Sequence, residues 1–301
     1  MKKQLNILIT GATSGIGRST ALHLARKGHR VFAAGRNESA LSELQAESAG
    51  TNLETIRLDV TSAESIAAAH RAVDKVTDGY GLDVLVNNAG YGTAGPTEMC
   101  TDADLRAQYD VNVFGLMAMT RAFLPAMRER GDGKVINVSS VGGRMTLPMM
   151  GVYNSTKYAL ESLTDALRME LRPFGVHFSL IEPGVINTGF ADRSMNEVTK
   201  YQNHDGPYAA VTARAQELRA FTDKQAVGPQ VIARAIERAI RARRPSARYV
   251  APFRARIILF FVGITPTRVN DWMMRSLVGL TKKRLGLTDQ RDQARLQRAR
   301  R

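Results

Sequence analysis

Short apolar runs alternate with longer amphipathic segments from residue 5 to about residue 185. The apolar runs are rich in β-branched residues and comprise NILIT, RVFAAG, LETIRL, LDVLVNN, KVINVSS and VHFSLIEPG. Segments of 15–45 residues with helical spacing, such as GIGRSTALHLARKG, separate them. This alternation predicts βαβ units and a parallel sheet. Because such crossovers are right-handed, helices should cover both faces of a doubly wound, Rossmann-type α/β fold of about seven strands.

The C-terminal third of the chain departs from this pattern. A seventh strand, ARYVAP, lies near residue 250, so residues 1–250 are predicted to form one domain. Residues 190–227 are irregular and follow the sixth strand, where α/β enzymes often carry a substrate lid. Residues 251–301 are predicted to form a helical extension that is both basic and apolar.

The positive charge of the chain lies in this last segment. The net charge is +14, but residues 241–301 carry 16 lysines and arginines against three acids, and the other residues carry 26 against 25. The body of the protein is therefore nearly neutral, and its charge does not indicate a general affinity for nucleic acid.

Three interpretations of residues 251–301 compete. The segment could cap the substrate cleft with its apolar face against a lipid-like molecule. It could instead lie on an anionic membrane, because apolar residues beside lysine and arginine suit the interface. Nucleic-acid binding is disfavoured, since the end of the chain, DQARLQRARR, lacks interleaved aromatic residues.

Cysteine content and apolar run lengths indicate the compartment. The single cysteine, Cys100, cannot form an internal disulfide, so a reducing compartment is expected. The first apolar run ends after about five residues, and a secretory signal needs roughly 7–15. The longest apolar run, IILFFVGI, has eight residues, whereas a membrane-spanning helix needs about 18. We therefore expect a cytoplasmic protein, with peripheral membrane contact through residues 251–301 left open.

Three glycines, Gly11, Gly15 and Gly17, lie between the first strand and the first helix in TGATSGIG. Such glycines permit a tight turn, close approach of the backbone to a pyrophosphate, and close helix–strand packing. The helix N-terminus that follows attracts the anion. The spacing is neither GxGxxG nor that of a P-loop. It predicts a dinucleotide site, and a glycine turn without a ligand is the alternative.

Tyr153 and Lys157 are four residues apart, so on a helix their side chains share a face. A free tyrosine has a pKa of about 10, but a neighbouring ammonium favours the phenolate. The pair can therefore act as an acid or base near neutral pH. Ser140 lies thirteen residues upstream, after the fifth strand. An exposed helical pair without a catalytic role is the alternative.

Together these motifs resemble the short-chain dehydrogenase/reductase family over residues 5 to about 190. After TGATSGIG come LDVT, NNAG, VNVFG, NVSS, YNSTK and EPGVINT, in that order. The resemblance makes residues 1–250 a dinucleotide-binding and catalytic domain. The C-terminal extension is similar to those of relatives that act on steroids, retinoids and other lipophilic carbonyls.

The resemblance implies a catalytic group of four residues. Tyr153 would exchange a proton with the carbonyl oxygen, and Ser140 would hydrogen-bond that oxygen. Lys157 would bind the nicotinamide ribose and lower the pKa of Tyr153, and Asn112 would hold a relay water. The implied cofactor-binding residues are Gly11, Thr13, Ser14, Gly15, Ile16, Gly17, Arg36, Asp59, Val60, Asn88, Ala89, Gly90, Tyr153, Lys157, Pro183, Gly184, Val185 and Thr188.

The end of the second strand favours NADP(H) over NAD(H). An acidic residue there usually binds the ribose 2′-hydroxyl of NAD, but this chain has Gly35 followed by Arg36. An arginine can hold a 2′-phosphate by charge-assisted hydrogen bonds. The alternative is that Arg36 is an ordinary solvated turn residue.

The sequence thus predicts an NADP(H)-dependent oxidoreductase that transfers a hydride between nicotinamide and a hydrophobic ketone, aldehyde or secondary alcohol. A 3-oxoacyl-thioester reductase and a non-enzymatic NADP(H) sensor or scaffold are the alternatives. The resemblance also implies a homodimer or homotetramer built on helices from 99–130 and 153–173. The five histidines show no metal-ligand spacing, so no metal is predicted.

Overall fold

The computed structural model describes residues 4–190, 194, 198, 200–201, 206–282 and 284–285. The remaining residues of the predicted lid, 191–193, 195–197, 199 and 202–205, lie outside the described part. So do residues 283 and 286–301 of the predicted extension.

Seven parallel strands form one sheet in the order β3-β2-β1-β4-β5-β6-β7. The strands are β1 (Asn6–Thr10), β2 (Arg30–Gly35), β3 (Leu53–Arg57), β4 (Val84–Asn87), β5 (Gly133–Val138), β6 (Val176–Pro183) and β7 (Arg248–Ala251). Each lies within an apolar run named above, except that β5 begins one residue earlier, at Gly133, so the predicted α/β fold is confirmed. The order reverses between β1 and β4, and ligands bind at such switch points beyond the carboxyl ends of the strands.

Helices cover both faces of the sheet. They are α1 (Gly15–Arg26), α2 (Glu38–Glu47), α3 (Ala63–Val76), α4 (Asp102–Tyr109), α5 (Leu116–Arg130), α6 (Gly151–Glu170), α7 (Ala209–Thr212), α8 (Ala215–Asp223), α9 (Gln230–Arg241), α10 (Phe253–Ile264) and α11 (Thr267–Val278). Short 3₁₀ turns at Thr97–Met99, Val141–Gly143 and Arg172–Phe174 complete the connections.

Alternate residues of the central strands enter two separate cores, as expected when a parallel sheet is buried on both faces. The core under α1 and α9 includes Ile7, Val31, Val84, Ile136 and Ile181. The core under α3 and α5 includes Leu8, Phe32, Leu85, Val135 and Phe178. This packing fixes the strand ends, and the loops that follow them meet at one edge of the sheet.

The helices predicted within 99–130 are α4 and α5. Between α4 and α5 the chain forms a π-helical segment, Asp110–Gly115. Such segments are rare in proteins, and those that occur often lie at functional sites. A Cβ at Gly115 would lie 2.7 Å from the carbonyl oxygen of Val60, so the close contact at this point requires glycine. The segment widens the helix at Asn112, which the apolar periodicity alone cannot reveal.

Two helices, α10 and α11, follow β7. The cis peptide Ala251–Pro252 leads into α10, and Asn270 of α11 donates hydrogen bonds to the carbonyl oxygens of Val262 and Thr265 at 3.0 Å each. Among the described residues, every helix is too short or too polar to cross a membrane.

Candidate active site

A cleft of about 900 Å³ opens at the carboxyl ends of the strands, at the switch point between β1 and β4. It collects the loops after β1, β2, β3, β4, β5 and β6. Sixteen of the predicted cofactor-binding or catalytic residues line it together with Ser140: Gly11, Thr13, Ser14, Gly15, Ile16, Arg36, Asp59, Val60, Asn88, Ala89, Gly90, Tyr153, Lys157, Pro183, Gly184 and Val185. Thr188 lines it too. Gly17 and Asn112 do not, and both lie behind its wall.

The loop glycines have separate structural reasons. Gly11 and Gly15 have φ of +66° and +52°, in the left-handed region that favours glycine. Gly17 has no such φ, but a Cβ there would collide with the carbonyl oxygen of Gly11. Gly17 therefore keeps α1 close to β1, while Gly11 and Gly15 shape the surface of the cleft.

The N-terminus of α1 faces the cleft without a protein partner for its first amides. Ser14 occupies the N-cap position, its side chain makes no capping hydrogen bond, and the first turn holds no acidic residue. By contrast, Asn37 and Ser62 cap α2 and α3 with their side chains. The free amides and the helix dipole suit the N-terminus of α1 to an anionic group such as a pyrophosphate.

Asn88 supports the glycine loop from the end of β4. Its amide nitrogen donates to the carbonyl oxygens of Thr10 at 2.9 Å and Gly11 at 3.2 Å. The Thr10 hydroxyl in turn accepts from the backbone N–H groups of Asn88 and Ala89, at 3.0 and 2.9 Å. Sequence analysis missed Thr10, although a threonine at the end of an apolar strand is a signal that its hydroxyl hydrogen-bonds to a neighbouring loop.

The end of β2 leaves no room for an acidic side chain. A Cβ at Gly35 would lie 2.6 Å from Cγ2 of Thr13, so an aspartate there would displace the glycine loop. Arg36 lines the cleft, is mostly exposed, and lies 4.0 Å from Asp59, the limit of an ion pair. Two hydrogen bonds from Thr61 and the charge of Arg36 hold the pKa of Asp59 below its ordinary value, although burial opposes them.

Tyr153 lies on α6, buried at the inner end of the cleft. Burial raises its pKa to about 12, although a hydrogen bond with Ser140 works in the opposite direction. The nitrogen of Lys157 lies 5.8 Å from the centre of the Tyr153 ring. In the chain alone, loss of solvent therefore sets the direction of the tyrosine pKa shift, and the lowering expected beside Lys157 and a bound nicotinamide stays a prediction. The phenol is a proton donor at neutral pH.

Lys157 is buried one helical turn further along α6. Its ammonium donates to the carbonyl oxygen of Val138, at the end of β5, at 2.9 Å. Burial lowers its pKa to about 8, and the negative charge of Glu161 opposes that shift. Lys157 therefore changes charge close to physiological pH, unlike an exposed lysine.

Of the two serines after β5, Ser140 faces Tyr153. Its hydroxyl accepts from the backbone N–H of Gly142 at 2.9 Å, which fixes the turn that follows. The hydroxyl of the neighbouring Ser139 lies near Glu161 instead, where it works against the rise that burial causes in the pKa of Glu161. The two serines alternate in direction, as expected at the end of a strand.

Asn112 ties the π-helical segment to the strand ends. Its amide nitrogen donates to the carbonyl oxygen of Tyr91 at 2.9 Å and to the hydroxyl of Thr156 at 3.1 Å. Its side-chain oxygen accepts from the N–H of Tyr91 at 3.2 Å. Both amide protons are thus used within the protein. Thr156 lies three residues after Tyr153 on α6, so Asn112 also holds the helix that carries Tyr153.

Outside the predicted cofactor residues, the cleft lining is largely apolar, with Ser194, Thr212, Arg219 and Thr222 among the polar exceptions. Phe190 packs on Tyr153 with the ring centres 5.3 Å apart. Further apolar lining residues are Ala94, Val141, Met145, Leu147, Met149, Met150, Val198, Val211, Leu277 and Val278. The described residues of 190–227 thus supply part of this wall, and the end of α11 supplies another part. Phe190 was missed from the sequence because its position in the irregular segment gives no periodic signal.

A buried group of charges lies behind α6 and below the Ser140 loop. Arg248 of β7 donates to Glu161 at 3.0 Å and to Asp165 at 2.6 Å, and lies 3.1 Å from a carboxylate oxygen of Glu182. Arg144, which follows the Ser140 turn, lies 3.3 Å from the other oxygen of Glu182. Burial raises the pKa of both Glu161 and Glu182. We define Arg248, Glu161, Asp165, Glu182 and Arg144 as the buried charge group, in which the two glutamates are buried, Arg248 and Asp165 are half-buried and Arg144 is exposed.

The order of motifs, the sheet and the cleft agree with an independent comparison. A family model described as short chain dehydrogenase matches residues 5–199. The chain belongs to the short-chain dehydrogenase family. Family membership makes it an NAD(P)-dependent oxidoreductase that acts on CH–OH groups, which confirms the class predicted from the sequence.

Relatives in this short-chain dehydrogenase family span most of the chain. A 3-ketodihydrosphingosine reductase of Bacteroides thetaiotaomicron is 35% identical over 253 residues, which cover 83% of this chain and 87% of the relative. The 17-beta-hydroxysteroid dehydrogenase type 1 of Homo sapiens is 38% identical over 254 residues, 81% of this chain and 76% of the relative. A short-chain dehydrogenase/reductase from Burkholderia phymatum, solved in complex with NAD, matches with a TM-score of 0.75 and 28% identity, covering 86% of this chain and 92% of its own.

Proposed function

We propose that this protein is an NADP(H)-dependent oxidoreductase that reduces a hydrophobic ketone or aldehyde, or oxidises the corresponding secondary alcohol. One observation carries the proposal: Tyr153, Ser140 and Lys157 line the same cleft, whose wall outside the predicted cofactor residues is largely apolar. The named relatives support the substrate class, since their names refer to a sphingosine ketone and a hydroxysteroid.

The residues at the switch point fit a nicotinamide dinucleotide. The uncapped N-terminus of α1 and the backbone of Gly11 and Gly15 would hold its pyrophosphate. Asp59 and Val60 would flank the adenine, and Lys157 would bind the nicotinamide ribose. The cofactor supplies or accepts the hydride when it is bound, and the chain's own residues handle the proton.

Tyr153 acts as the proton donor during reduction. Its phenol is protonated at neutral pH because burial raises its pKa to about 12. Ser140 hydrogen-bonds the substrate oxygen and holds it near the phenol. The Lys157 ammonium offsets the negative charge that develops on Tyr153 as its proton leaves. Because both amide protons of Asn112 are used within the protein, the relay water proposed for this residue would bind its main-chain carbonyl instead.

The pH dependence of reduction should follow Lys157. Its folded-state pKa of about 8 is below the ordinary 10.5, so the ammonium is lost as pH rises through about 8. We expect kcat/KM for carbonyl reduction to be level below that pH and to fall above it. The Glu161→Gln variant should start to fall at lower pH, because the negative charge of Glu161 raises the pKa of Lys157.

Initial rates across the pH range, with circular dichroism at each pH to confirm folding, measure this profile. A level rate through about pH 10 in both proteins would contradict the role given to Lys157. Asp165→Asn is the matched control, because Asp165 also pairs with Arg248 but is not among the groups that shift the pKa of Lys157.

We propose NADP(H) as the preferred cofactor on the basis of Gly35 and Arg36. The Thr13 side chain excludes an acidic residue at 35, and the exposed Arg36 guanidinium is free to bind a 2′-phosphate in place of its weak contact with Asp59. The Burkholderia phymatum relative was solved with NAD, so the preference rests on these residues of this chain alone.

Replacing Arg36 with serine should raise the KM for NADPH about tenfold to hundredfold and leave the KM for NADH almost unchanged, since a hydrogen bond to a charged group contributes about 1.5–3 kcal/mol. Steady-state kinetics with both cofactors test this. The matched control is Arg57→Ser, at the end of β3, because Arg57 pairs with Glu38 at 2.9 Å and does not line the cleft. An unchanged NADPH KM in Arg36→Ser would contradict the assignment.

The proposed domain roles follow from the cleft lining. Residues 190–227 act as the substrate lid, and the Ile186–Val227 bridge pins both ends of this segment beside the cleft. The end of α11 caps the cleft through Leu277 and Val278.

We also propose a homodimer or homotetramer built on the 99–130 and 153–173 regions, which sedimentation velocity would test.

A panel of carbonyls with NADPH tests the function as a whole. Long-chain ketones and steroid ketones should be reduced with a kcat/KM at least about tenfold above that of short, polar ketones, because each buried methylene contributes about 0.8 kcal/mol. A preference for 3-oxoacyl thioesters would favour that alternative. No turnover with any carbonyl or alcohol, despite NADPH binding, would favour a sensor or scaffold.

A further inference from the structure

Apart from Arg254 and Arg256 in its first turn, helix α10 is apolar around its circumference, yet most of it is exposed. Ala255 and Leu259 are its buried residues. Its exposed large apolar side chains are Phe253, Ile257, Ile258, Phe260, Phe261 and Ile264. A helix that is apolar all round normally lies in a protein core or in lipid. Water is thus an unfavourable neighbour for α10, and another surface is expected to cover it.

Helix α11 adds an apolar stripe. Val269, Trp272, Met273 and Leu277 are spaced by three and four residues, so they share one face, and all four are exposed. Trp272 is 62% exposed. Tryptophan is favoured at membrane–water boundaries, because its ring is largely apolar and its N–H needs a polar partner.

Cations accompany both apolar helices. Arg256, Arg268 and Arg275 are exposed, and no carboxylate in the described part of the chain lies within ion-pair distance of any of them. Asp271 is the one acidic residue between 251 and 282. Exposed apolar side chains beside unpaired arginines are the composition that binds the interface of an anionic membrane.

This surface adjoins the mouth of the cleft. Leu277 and Val278 at the end of α11 line the cleft directly. At the start of α10, a Cβ on the cleft residue Gly184 would lie 3.0 Å from Cβ of Ala255 and 3.3 Å from Cδ of Pro252. The end of α11 therefore borders the apolar part of the cleft, and the start of α10 lies beside Gly184 on its cofactor side.

Charge argues against a second copy of the chain as the occupant. A two-fold contact through α10 and α11 would gather Arg256, Arg268 and Arg275 of both copies in one interface, with Asp271 as the one acid per chain in these helices. Nor does the sequence of residues 286–301 suit the surface. It contains two large apolar residues, Leu287 and Leu296, against ten exposed apolar side chains on α10 and α11.

We propose that α10 and α11 form a docking surface for anionic lipid membranes, and that an apolar substrate passes from the lipid into the cleft beside Leu277. The docking itself is independent of catalysis, whereas the passage of substrate rests on the function proposed above. One helix then serves as cap and as membrane contact: Leu277 and Val278 at the end of α11 border the cleft, while Val269, Trp272 and Met273 meet lipid.

Sedimentation of the full-length chain with vesicles tests the docking. The chain should bind vesicles of phosphatidylcholine with phosphatidylserine more tightly than phosphatidylcholine alone. Phe260→Gln/Trp272→Gln should weaken binding about tenfold or more. Arg268→Gln/Arg275→Gln should weaken it about fivefold for each cation removed. The matched controls are Phe174→Gln, an exposed aromatic after α6, and Arg71→Gln/Lys75→Gln, two exposed cations on α3.

NADPH binding by each variant shows that it is folded. Equal sedimentation of the α10–α11 variants and their controls would overturn the proposal, as would no sedimentation with phosphatidylserine vesicles. A dimer that dissociates in Phe260→Gln/Trp272→Gln, without vesicle binding by the parent chain, would assign the surface to a second copy. Because vesicle binding needs no turnover, failure here leaves the oxidoreductase assignment intact. Conversely, an inactive chain that still sediments would leave the docking intact.

Discussion

The Tyr153→Phe variant should lose carbonyl reduction by about 10²–10⁴-fold, the usual contribution of a general acid, while it binds NADPH as the parent chain does. Phenylalanine keeps the ring that packs 5.3 Å from Phe190 and removes the hydroxyl that bonds with Ser140. The loss should therefore appear in kcat, because the shape of the cleft and the cofactor contacts remain.

Stopped-flow rates with NADPH, beside a fluorescence titration of NADPH binding, separate the two effects. The matched control is Tyr158→Phe, since Tyr158 is an exposed tyrosine on the same helix, α6. Turnover of Tyr153→Phe within a few fold of the control would show that another group donates the proton. Loss of NADPH binding together with turnover would instead mean that the hydroxyl supports the cofactor site.

Much of the fold and of the proposed site could be predicted because the signals are local. Each strand lies within a short apolar run, and the Tyr153–Lys157 pair depends on a spacing of four within one helix. The glycine loop likewise needs positive φ at Gly11 and Gly15, and the presence of glycine at both positions in the sequence indicates this. Functional groups that lie close together within one helix or loop can therefore be predicted without knowledge of the tertiary structure.

Features that depend on contacts between distant elements could not be predicted. Asn112 lies behind the wall of the cleft, and its position there depends on its contacts with Tyr91 and Thr156. The π-helical segment was not predicted either, because the spacing of its apolar residues matches that of an ordinary α-helix. The tyrosine pKa was expected to fall, but its direction depends on burial, which no spacing reveals.

The buried charge group is the clearest case of this limit. Its members come from α6, from the loop after β5, and from the ends of β6 and β7, and the sequence offers no reason to connect them. Through Arg144 and Glu182 it holds the Ser140 turn on the sheet, and through Glu161 it influences the charge of Lys157. The geometry of the proposed site therefore depends on residues that never line the cleft.

Replacing Arg248 with methionine should lower the free energy of unfolding by about 3–5 kcal/mol, the usual cost of removing one partner from a buried ion pair. Methionine keeps the apolar stem, but Glu161 loses its hydrogen-bonded guanidinium and the fully buried Glu182 keeps only Arg144. Urea unfolding of the parent chain and the variant measures the difference. The matched control is Arg168→Met, because Arg168 pairs with Asp165 alone of this group, at 2.9 Å, and should cost less than about 1 kcal/mol.

The pH dependence of the stability difference between Arg248→Met and the parent chain shows whether the loss comes from charge pairing or from packing. Burial already raises the folded-state pKa of Glu161 and Glu182 above the ordinary 4.5, and removal of Arg248 raises both further. Across the range above 4.5 the folded variant then binds more protons than the unfolded chain, so its stability falls as pH rises. The deficit of Arg248→Met should accordingly be smaller at about pH 5 than at about pH 8. A deficit that is the same at both values would assign the loss to packing of the arginine stem, and a deficit no larger than that of Arg168→Met would remove the buried charge group as a support of the site.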